Sequence, residues 1–127
     1  FAGNPVSCAV GMAVLDVLEE EQLLDNAVQV GHLVADGLRE LQGRYDIIGD
    51  VRHKGLFFAL ELVEDRTTKS PATNAAKRLV NGMCERGVLI SRVGRFDNIL
   101  KLRPPMPFSR DNAELLVSTL NDCLMAL

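Results

Sequence analysis

The sequence is short of several features that would carry an immediate functional reading. It has no basic surplus: 14 lysines and arginines stand against 17 aspartates and glutamates, a net charge of -3. The clustered cationic footprint of a nucleic-acid-binding domain is therefore missing. It has no long apolar run either. The stretches "LFFAL" and "VGMAVLDVL" fall far short of the roughly 20 residues that cross a bilayer. Its three cysteines, Cys8, Cys84 and Cys123, are odd in number, widely spaced and without a Cys-x-x-Cys pair. That points to reduced thiols in a cytoplasmic compartment rather than to a disulfide or zinc site. No metal-ligand spacing occurs, and Gly49 and Gly55 do not make a phosphate-cradling pattern. Disorder is excluded as well, because 24% charged and 47% hydrophobic residues are ordinary globular values. At 127 residues the chain is long enough for one domain with a real core.

What is present is a regular succession of helical and strand patterns. Asn4 is a good N-cap and Pro5 suits the first helical position. From there to about Glu20, Val10, Ala13, Val14, Val17 and Leu18 recur on one helical face. Only Phe1, Ala2 and Gly3 stand ahead of this helix start, which suggests that a longer chain continues upstream. After "EEEQLLDN", a kink or short turn, a second helix carries Leu24, Ala27, Val28, Gly31, Val34, Leu38 and Leu41. Gly43 is expected to stop it. Gly31 and Gly37 each cost about 1 kcal/mol of helix propensity, so close packing is the expected reason for both.

The pattern then turns to β. A short strand is expected near Ile47 to Val51, followed by a glycine turn or bulge and a longer strand from Leu56 to Val63. In the longer strand Phe58, Leu60 and Leu62 share one face. "EDRTTKSP" reads as a solvated loop. Ala75, Ala76, Leu79, Val80 and Met83 mark a third helix closed by Gly87. "GVLISRV" and "ILKLR" are strands joined by the turn "GRFDN". Pro104, Pro105 and Pro107 end the second of these, and Ser109 caps a last helix carrying Leu116, Leu120, Cys123 and Leu127. The fold class is α+β: a small antiparallel or mixed sheet of three to four strands with helices on one face, preceded by a long N-terminal helix.

Catalytic constellations are scarce. His32 sits in a helix, where a lone histidine is usually a surface or packing residue. His53 has Asp50 and Arg52 near it, as a base with an orienter would, but no nucleophile accompanies it, so a solvated turn is the plainer reading. One feature resists such an account. In "ILKLRPP", Lys101 and Arg103 lie two residues apart, on the strand face opposite to Leu100 and Leu102. Two adjacent cations call for an anion between them, or else they defend an exposed edge strand.

Taken together, three segments resemble the C-terminal small domain of class III aminotransferases, pyridoxal-phosphate enzymes of fold type I. "FAGNPVSCAVGMAVLDVLE" is similar to that family's Gly-Asn-Pro turn and the helix after it. "IGDVRHKGLFFALELV" resembles its Val-Arg-Gly-x-Gly-Leu stretch, and "LKLRPPMPFSRDNAELLVSTL" its ending after a Pro-Pro pair. The resemblance covers the whole chain, with residues 1–20 as interdomain helix and residues 21–127 as small domain proper. It implies a homodimeric enzyme that moves an amino group between an amine or amino acid and a 2-oxo acid on pyridoxal 5'-phosphate. It also implies that the Schiff-base lysine belongs to the large domain, so that no catalytic residue and no metal site are expected here. A threonine just ahead of the Phe-x-Gly-Asn-Pro turn binds the phosphate of the neighbouring subunit's cofactor in that family. Phe1, Gly3 and Asn4 would then form the edge of that site.

The sequence departs from the family pattern at three places. His53 and Ala59 stand where members often have glycine. Lys101 stands where many have an arginine that holds a substrate carboxylate as a fork; lysine offers a point charge instead. Lys101, with Arg103, is accordingly the expected substrate contact, and a phosphorylated amine would suit the pair. The Lys-x-(Lys or Arg)-Pro-Pro pattern is similar to the alanine–glyoxylate aminotransferase-like and ethanolamine-phosphate phospho-lyase branch. The alternatives are therefore a phospho-lyase, or an α+β interaction domain without catalysis. A hydrolase using His53 as base is a third and weaker one.

Overall fold

The computed structural model describes residues 3–127, and Phe1 lies outside them. α1 (Pro5–Glu20) and α2 (Leu23–Arg44) lead into β1 (Ile48–Lys54) and β2 (Phe57–Leu62). α3 (Thr73–Glu85), β3 (Ser91–Val93), β4 (Ile99–Leu102) and α4 (Arg110–Met125) follow. The four strands form one sheet in the order β1-β2-β4-β3, and every pairing is antiparallel. Of the two sheet types left open by the sequence, the antiparallel one is realised.

Alternation along β2 and β4 divides the sheet into two faces. Phe58, Leu60, Leu62, Leu100 and Leu102 are buried in one cluster with Val34 and Leu38 of α2, Leu79 and Met83 of α3, and Leu120 of α4. No residue on the opposite face (Asp50, Arg52 and Lys54; Phe57, Ala59 and Glu61; Ile99 and Lys101; Ser91 and Val93) is buried. Among the described residues all helix packing is thus on one side, and the second side is open.

Glycines set how closely the layers approach. A methyl group on Gly31 of α2 would come within 2.5 Å of the Gly55 carbonyl oxygen in the β1–β2 turn. One on Gly37 would meet the Val117 side chain of α4 at 2.9 Å. Both helical glycines therefore serve close packing, as their position in the sequence implies. At the sheet's other end, buried Asn98 accepts the Leu62 amide on its carbonyl at 2.9 Å and donates its side-chain amide to the Leu62 carbonyl at 2.8 Å. Asn26 of α2 donates to the carbonyls of Met106 and Phe108, holding the proline segment after β4 against the helix layer.

Several local expectations are corrected. α2 does not stop at Gly43; it runs to Arg44 and ends where Tyr45 turns extended. Arg66, which the sequence presents as a solvated loop charge, reaches the carbonyls of Gln42, Tyr45, Asp46 and Ile48. It thereby satisfies the open end of α2, a task glycine geometry often performs. β1 continues past Val51 to Lys54, with the irregularity at Gly49 and the turn at Gly55–Leu56. Gly55 takes φ +52° there. β2 is a residue shorter at each end than Leu56–Val63, and only Ser91–Val93 of "GVLISRV" pairs as β3. Gly31→Ala should lower unfolding stability by about 1–3 kcal/mol, because backbone rather than a movable side chain blocks the new methyl. Gly11→Ala, where nothing lies within 4 Å, should be neutral or mildly stabilising. Chemical denaturation of the two variants checks the contrast.

Candidate functional site

The open sheet face carries a row of four side chains in cross-strand register. Arg52 on β1 lies opposite Ala59 on β2, Ala59 opposite Lys101 on β4, and Lys101 opposite Ser91 on β3. Directly opposed residues of antiparallel strands project to the same face, so the row crosses the whole sheet. Leu100 and Leu102 are buried on the other side, which is what holds Lys101 outward, where it is half-buried.

The two cations of this row differ in their partners. Arg52 bonds to Asp50 and, at 3.1 Å, to Glu61. The Glu61 hydrogen bond raises the guanidinium pKa above its ordinary value, with Asp50 adding to the effect against partial desolvation. Its charge is therefore met within the sheet. Among the described residues no ion pair engages Lys101. Arg103 stands one residue beyond the end of β4 and is exposed. It borders a cleft of about 430 Å³ with Val88, Ile90, Pro104, Phe108 and Leu115. Lys101 is on the open face, and Arg103, just past the end of the strand, borders the cleft beside the proline segment.

At the other end of the chain, Asn4 takes the N-cap role. Its side-chain oxygen accepts the amides of Val6 and Ser7 at 3.0 and 3.2 Å, and Pro5 occupies the first turn. Gly3 adopts φ +75°. α1 buries none of its residues. Val6, Met12 and Leu15 are exposed together with Val10, Val14 and Val17, so apolar side chains surround the helix instead of lining a single face.

His53 is not in a turn. It sits on β1 facing the helices, stacked on Phe58 with ring centroids 6.0 Å apart and edge-on to His32 at 5.9 Å. Asp50 points to the other face and pairs with Arg52, so it does not orient His53 as a base. Burial lowers the His53 pKa from its usual value near 6.5, and the charges of Arg39 and His32 lower it further against Asp36. Neutral His53 is then the form the fold favours. Its contribution to stability is complete above the unfolded-state pKa and is lost as the pH falls through the lower folded-state value. Denaturation midpoints should therefore decline below about pH 6.5, and less steeply in His53→Gln.

The sequence model of "Aminotransferase class-III" matches residues 1–124. This chain belongs to the class III aminotransferase family. An alanine–glyoxylate aminotransferase 2 homolog of Arabidopsis thaliana, a mitochondrial protein, is 43% identical across 95% of this chain and 25% of its own length. A phospholyase from Arthrobacter, solved in complex with phosphoethanolamine, is 44% identical with a TM-score of 0.95, over 100% of this chain and 30% of that one. An amine transaminase from an uncultivated Pseudomonas species, solved with PLP bound, is 38% identical with a TM-score of 0.89, over 98% of this chain and 28% of that one. The chain therefore spans between a quarter and a third of these class III relatives, and its α+β fold is the one they share over that span. Among the described residues no helix is long and apolar enough to cross a membrane.

Proposed function

We propose that this chain acts as the small domain of a longer class III aminotransferase, a homodimer of the cytoplasm. The parent would transfer an amino group between an amine or amino acid and a 2-oxo acid. In this reading residues 1–20 form the interdomain helix and residues 21–127 the small domain. Supporting it is an apolar helix with nothing buried, a surface a lone domain rarely presents and a larger assembly would cover. The single observation that carries the substrate reading is Lys101, outward on the open sheet face and without an ion-pair partner among the described residues, where an anionic substrate end would meet it. Arg103 at the rim would assist, and Gly3 and Asn4, with Phe1 before them, would border the neighbouring subunit's phosphate site.

The residues present do not by themselves fit pyridoxal 5'-phosphate. Lys54 and Lys77 are exposed and Lys101 stands on an open face. Lys69 borders a cleft lined by charged groups that include the paired Arg52, Asp50 and Glu61. None of these lysines lies in an apolar slot shaped for an aromatic ring. The cofactor would be held by the remainder of the longer protein, where it serves as electron sink. Adding it to the isolated chain should give no absorbance band that shifts with an amine donor; such a band would contradict this reading.

A second reading, a phospho-lyase acting on a phosphorylated amine, is favoured by the lysine at position 101 and by the likeness to the Arthrobacter protein. In the full-length enzyme Lys101→Ala should reduce kcat/KM for the anionic substrate by roughly 10- to 100-fold, the range of a hydrogen bond to a charged group. Assays with phosphoethanolamine and with ω-amino acids decide between the readings. An unchanged kcat/KM for both substrates would remove Lys101 from substrate binding.

A further inference from the structure

We infer that Ser91 is a second substrate contact beside Lys101, and that the pair is built for a phosphate monoester at the far end of an amine substrate. The inference rests on Lys101 facing the substrate. Ser91 begins β3 at the sheet edge, is exposed, and lies directly opposite Lys101 in the β3–β4 register. Opposed residues on one face have Cβ atoms about 4.5–5.5 Å apart, so the hydroxyl and the lysine stem rise side by side. On the other flank of Lys101 the opposed residue is Ala59, whose methyl leaves room above the sheet. Beyond it Arg52, two strands and about 10 Å from Lys101, is occupied by Asp50 and Glu61. A bound anion would thus meet the Lys101 ammonium, which no ion pair engages among the described residues, and one hydroxyl on the neighbouring strand, with apolar Ile99 and Val93 as the next opposed pair.

That donor set selects among anions. A carboxylate is planar, and its two oxygens are best met by the parallel N–H groups of an arginine fork. A lysine ammonium directs three donors from a point, and a serine hydroxyl adds one from a separate direction. Oxygens that spread tetrahedrally, as in a phosphate monoester carrying close to two negative charges, can take both donors at once. A carboxylate offers two coplanar oxygens that Lys101 alone can engage, whereas the phosphate's third oxygen gives Ser91 an acceptor of its own.

The test measures dissociation constants by calorimetry on the full-length enzyme, with phosphoethanolamine and with β-alanine, a short amine that ends in a carboxylate. Ser91→Ala should weaken phosphoethanolamine binding about five- to tenfold, the scale of one hydrogen bond. β-Alanine binding should change less than twofold, and Ser91→Thr should restore the phosphate preference. If Lys101→Ala weakens phosphoethanolamine and Ser91→Ala does not, Ser91 has no such role while the Lys101 reading stands. If neither substitution matters, both fail together. Equal weakening of the two ligands by Ser91→Ala, or no phosphoethanolamine binding by the unaltered enzyme, would overturn the phosphate assignment.

Discussion

The pairing of β2 with β4 is the constraint on which the rest of this structure depends. Phe58 meets Leu102 and Leu60 meets Leu100 on the helix side, which forces Ala59 and Lys101 together on the other. Side-chain direction has a period of two, so a slip of one residue would send Lys101 into the cluster around Leu38 and Met83 and expose two leucines. Burying an unpaired ammonium there would be strongly unfavourable. Asn98 reinforces the register from outside the ladder, since both hydrogen bonds to Leu62 must form at the same residue. The outward position of Lys101 is thus set mainly by leucines buried on the opposite face.

The same pairing makes the domain one-sided. α2 and α3 cover one sheet face and α4 packs across both helices, with Gly31 and Gly37 admitting close contact at two places. Nothing in the described residues covers the second face or α1. Two uncovered surfaces of different character, one apolar and helical, the other a sheet bearing charge, are consistent with a unit that completes a larger enzyme. Family membership and the share of each relative that the chain spans agree with that view.

Much of this was legible in the sequence, because the dominant signals are periodic. Alternation in "FFALEL" and "ILKL", the prolines after Arg103 and the Ser109 cap act locally, and each element they mark is present. What escaped notice depends on contacts distant in sequence. Arg66 reaches carbonyls about 20 residues away, so its loop composition could not reveal that it ends α2 in place of Gly43. His53 looked like a turn residue because Gly49 and Gly55 flank it; only the pairing with β2 turns its ring onto Phe58. β3 is short because its partner β4 is short, whatever the strand propensity of "VLI". At the candidate site, Lys101 was visible from its motif. Ser91 was not, since only the sheet register brings it alongside.

A crystal structure of the full-length protein with phosphoethanolamine bound tests the central claim most directly. Phosphate oxygens are expected within hydrogen-bonding distance of Lys101 Nζ, on the sheet face that the helices leave open. Density placing the phosphate on other residues, with the Lys101 side chain turned away from it, would contradict the account.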